Sequence, residues 1–76
     1  MPLAMFVIYD RPRDFAHLPH LPFVVRRWDV SAAGPIATRQ HWLAATLEAA
    51  RAHVPPGLYR LERSELDDPV IVEVWV

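Results

Sequence analysis

The segment VIVEVWV, Val70–Val76, places apolar residues at every second position, and a period of two is the mark of an extended strand. Val70, Val72, Val74 and Val76 fall on one face, and Ile71, Glu73 and Trp75 on the other. Two earlier runs are also strand-like. MFVIY, Met5–Tyr9, is continuously apolar and rich in branched and aromatic residues. FVVRRWDV, Phe23–Val30, alternates Val24, Arg26, Trp28 and Val30 against Phe23, Val25, Arg27 and Asp29. The first of these two sets is expected to be buried, with the Arg26 stem along the core and its guanidinium at the rim.

Against these strands the chain offers one stretch with helical character, Ile36–Val54. Leu43, Leu47, Ala50 and Val54 recur at helical spacing, which permits one helix from about Arg39 to His53. A break at Thr46 is the favoured alternative. HWLAA then forms a third strand, Thr46 caps a short helix LEAARAHV, and Glu48 occupies the first turn, where negative charge is stabilising. The sequence PPG, Pro55–Gly57, ends the helix either way. LYRLER, Leu58–Arg63, alternates and reads as a short strand or an extended connection. Pro12, Pro19 and Pro22 make Arg11–Pro22 a loop, and AAGP, Ala32–Pro35, and ELDDP are turns. The expected fold is therefore α+β: a small, mostly antiparallel sheet of four to five strands with one helix packed on one face, in the order β-β-(β)-α-(β)-β. A single short helix cannot cover both faces, so the other is expected to be partly open.

With 76 residues the chain is expected to form one domain, 1–76, burying only about 60% of its unfolded surface. It has no cysteine, so neither a disulfide nor a thiolate metal cage can reinforce it. Hydrophobic residues make up 53%, which argues against disorder despite eight prolines. The net charge of −1 draws the chain neither to nucleic acid nor to an anionic membrane. No run approaches the ~18 apolar residues of a membrane span. The start, MPLAMFVIYD, lacks a basic leader and a cleavage site, so a cytoplasmic location is expected.

The stretches YDRPRDF, FVVRRW, TLEAAR, VPPGL and DDPVIVEVW together resemble a group of small bacterial proteins with no established activity. The resemblance spans most of the chain, although each piece alone is a weak motif. It implies no catalytic residues, and it favours the break at Thr46, because TLEAAR looks like a helix opening after a strand.

Several residues could carry chemistry. In YDRPRDF, Arg11 and Arg13 could clamp a phosphate or carboxylate, with Asp10 or Asp14 tuning them. The plainer reading is a strand end with solvated arginines, since no glycine-rich cradle accompanies them. His17 and His20 could share a metal, with His41, His53, Asp10 or Asp14 as further ligands, but zinc needs a third or fourth ligand and Pro19 disfavours a helical presentation. Arg26 and Arg27 point to opposite faces of their strand, and Glu73 is the expected cross-strand partner of whichever shares its side. Asp67 and Asp68 precede a proline and read as a turn. No hydroxyl sits in a nucleophile elbow. An enzyme is therefore not expected, and neither is a cofactor.

Trp28, Trp42 and Trp75 are many tryptophans for such a chain, and simple core packing, or cover by the Arg11–Pro22 loop, is the plainer reading of them. If the valines of the last strand meet the helix, Ile71 and Trp75 lie on the uncovered side, edged by arginine, and both residue types are enriched at binding surfaces. The expected function is a non-enzymatic interaction module. It would bind a protein partner or a second copy through the open sheet face and an edge, using Trp75, Ile71, Glu73, Arg26, Arg27, Arg11 and Arg13. Size alone also permits a small phage- or defence-related inhibitor docking on a larger machine. The rival from another class is anion or nucleic-acid binding through Arg11, Arg13, Arg26 and Arg27, which the interspersed acidic residues disfavour. Metal chemistry at His17 and His20 ranks third.

Overall fold

The computed structural model describes residues 3–12, 20–61 and 69–76. Among these the chain forms five strands and one short helix: β1 Leu3–Asp10, β2 Phe23–Ser31, β3 Gly34–Ala44, α1 Leu47–Arg51, β4 Arg60–Leu61 and β5 Ile71–Trp75. All pairings are antiparallel, in the spatial order β3-β2-β1-β5-β4. It is an α+β arrangement dominated by sheet.

The position of β1 follows from its composition. A strand flanked on both edges and covered on both faces cannot alternate polar and apolar residues, and Phe6, Val7 and Ile8 are consecutively buried. Phe6 and Ile8 face one side of the sheet with Val25 and Ala44, and α1 lies over them, inserting the fully buried Ala50. Phe23, Trp42, Leu47, Val54, Leu58, Val72 and Trp75 pack around this cluster.

The segment after β2 breaks at Thr46. Its backbone is extended (φ −132°, ψ 159°), and its Oγ1 accepts a hydrogen bond from the Ala49 amide at 3.1 Å, satisfying one of the amides that a helix start leaves unpaired. Glu48 lies in the first turn and Arg51 in the last, both favourable to the helix dipole. Leu43, part of the helical stripe in sequence, instead belongs to β3, which runs back through Gly34 and is longer than HWLAA alone. The two-residue Ala32–Ala33 turn joins β2 to β3, and Gly34 takes the positive φ (107°) that closes it.

Two irregularities matter below. Between the pairs Ile8↔Glu73 and Tyr9↔Ile71, β5 carries one extra residue, Val72. Between Arg26↔His41 and Trp28↔Ala37, β3 carries two extra residues. There the Thr38 hydroxyl donates to the Arg27 carbonyl at 2.6 Å and accepts from the Gln40 amide at 3.2 Å.

The helix covers the side opposite to the one expected. It packs over β2 and β3 on the face that carries Glu73 and Trp75 rather than Val74, because Phe6↔Trp75 and Ile8↔Glu73 place those residues on the face of Phe6 and Ile8. On β2 the helix likewise meets Phe23 and Val25, not the set containing Val24. The second face is closed at its centre all the same, for Val7 and Val24 are both buried. A polar contact across that face gives one reason. Trp28 is opposite Met5 and Tyr9 is opposite Val24, so they stand about 13 Å apart along the sheet. Yet Trp28 Nε1 donates to Tyr9 Oη at 3.2 Å. The two rings can meet only by leaning toward each other over the intervening Val7–Arg26 row, forming an aromatic roof.

Candidate interaction surface

Register fixes which apolar residues remain exposed together. The Tyr59 amide donates to the Val76 carbonyl at 2.8 Å, and the Val76 amide to the Tyr59 carbonyl at 2.9 Å, so these residues lie directly opposite. Leu61 is opposite Val74, and Val74 is opposite Val7. Tyr59, Leu61, Val74 and Val76 therefore share the face of Val7, away from the helix. One step along the same register, Met5 comes beside Val76, with Leu3 two positions further on the same side. The exposures are 79% for Tyr59, 73% for Leu3, 48% for Leu61 and 41% for Val76. Together they form a strip without ionisable side chains at the β4–β5–β1 end of the second face.

The residues expected to bind a partner are dispersed. Trp75 is half-buried against the helix-side core, and its Nε1 donates to Glu73 Oε2 at 3.2 Å. Glu73 is buried, and its partner is neither Arg26 nor Arg27 but Arg51, which comes from α1 and donates from Nε at 2.7 Å and from Nη2. That carboxylate raises the Arg51 pKa above its ordinary value. The pair ties the helix to β5. Ile71, expected beside Trp75, is separated from it by the Val72 bulge and is paired with Tyr9, while Val72 itself packs on the helix side. The grouping of Ile71, Glu73 and Trp75 on one open face is thus corrected on two counts. The bulge breaks their alternation, and the helix occupies the side that Glu73 and Trp75 share.

The arginines do not converge either. Arg26 and Arg27 take opposite faces, as their spacing requires. Arg27 donates to Gln40 Oε1 at 3.1 Å and lies 3.3 Å from Asp29 Oδ1. Arg11 is held by Asp10 at 3.1 Å, and its backbone takes φ 51°, a left-handed conformation unusual outside glycine. The Asp10 and Arg11 amides donate to the Val70 and Pro22 carbonyls, both at 2.7 Å, so YDRP closes the top of β1 as a strand end does. Arg13, Asp14 and His17 lie outside the described residues, as do Asp67 and Asp68. His20 is exposed. His41 faces the Val7 side opposite Arg26, whereas His53 stacks on Trp42 on the helix side with ring centres 5.9 Å apart. Among the described residues no three His, Asp or Glu side chains gather where a metal could sit. No helix among them is long and apolar enough to cross a membrane.

Tyr59 and Leu61 escaped the sequence reading although the signal was present. LYRL alternates, but two residues of strand are too short for periodicity to separate from a connection. No family model matches the chain, and no curated protein or solved structure shows a significant match to it.

Proposed function

We propose that this chain is a protein-interaction module whose contact surface is the apolar strip Tyr59, Leu61, Val76 and Leu3. The observation that carries the reading is that these four exposed residues share one face on neighbouring strands. Isolated exposed apolar residues are ordinary on any protein, whereas a contiguous group marks a binding surface. Tyrosine in particular supplies a large contact area with few rotors to immobilise. A binding role is further supported by how the polar groups are used. Arg11, Arg27 and Arg51 are each engaged by a neighbour within the chain, at Asp10, at Gln40 and Asp29, and at Glu73. The edges are less suited to the task. Pro35, the two-residue bulge and Arg39 all lie on the outer strand β3, and such features discourage strand addition.

A photo-crosslinking phenylalanine analogue replacing Tyr59 tests this. Illumination in bacterial cells is expected to yield a protein adduct, and the same analogue at Glu48, an exposed helix position on the other side, is expected to yield none. Equal labelling at both positions, or none at either, would sink the proposal.

A further inference from the structure

We draw no further inference here: the strongest candidate, the apolar strip of Tyr59, Leu61, Val76 and Leu3 at the β4–β5–β1 end of the second face, belongs to the surface already described, and nothing in the structure shows what covers it.

Discussion

Val7→Ala and Val25→Ala form a matched pair that asks whether the sheet is covered on one side or two. Both valines are on inner strands, β1 and β2, and both are buried, at 3% and 0% exposure, but they face opposite sides. Val25 lies in the cluster beneath α1. Val7 lies in the row spanned by Tyr9 and Trp28. Each substitution removes two carbons, worth about 0.8 kcal/mol apiece in transfer free energy, and the space left behind adds to that. The expected cost is about 1.5–3 kcal/mol at either site. A residue on an uncovered face would lose no more than about 0.5 kcal/mol. The chain's total stability is expected near 4–11 kcal/mol, so both variants stay folded enough to measure. Equilibrium urea unfolding, followed by tryptophan fluorescence and far-ultraviolet dichroism, gives the values. In a Trp28→Ala background the Val7 substitution is expected to cost less, because its cover has been removed, while the Val25 cost should hold. If Val7→Ala falls within 0.5 kcal/mol of wild type while Val25→Ala costs its full share, the aromatic roof is no barrier to water and the second face is open.

Further expectations follow from single contacts. Thr46→Ala removes the cap of a five-residue helix and is expected to cost about 1 kcal/mol, with Thr46→Ser recovering most of it in the same urea titration. Tyr9→Phe deletes the acceptor of the Trp28 indole and is expected to cost about 0.5–1.5 kcal/mol, with a shift in tryptophan emission absent from Tyr59→Phe. Arg11→Gly relieves a left-handed residue and is expected to leave stability unchanged or raise it by up to about 1 kcal/mol, whereas Arg11→Val should lower it; thermal melts of the two variants give the comparison. Because its partner raises the Arg51 pKa, the stabilisation from that guanidinium is complete below the ordinary arginine range and is lost only above it. Comparing pH titrations of wild type and Arg51→Met between pH 6 and 9 should therefore show parallel curves.

Where the sequence was legible, the deciding signals were local. Thr46, Glu48 and the terminating PPG mark the helix in neighbouring residues, and the unbroken apolar run of MFVIY matches a strand covered on both faces. What stayed hidden depends on pairings between distant residues. Both faces of β5 are apolar enough for burial, so composition cannot say which one meets the helix. That follows from Phe6↔Trp75, a match across most of the chain. The Val72 bulge has no marker among the valines around it, and it alone separates Ile71 from Trp75. The strand pattern offers Glu73 a cross-strand arginine, Arg26 or Arg27, and its real partner comes from the helix, a contact no strand pattern encodes.

The place of β1 between β2 and β5 also bears on how the molecule is made. The meander of β1, β2 and β3 joins elements adjacent along the chain, so it can assemble while synthesis is still under way. The other edge of β1 waits for residues 71 to 75, translated some sixty positions later. Until they arrive, the backbone of Phe6–Ile8 presents an unpaired apolar border to every neighbouring chain. A message truncated before Ile71 would leave that border permanently bare, and its product should be recovered in inclusion bodies or with chaperones.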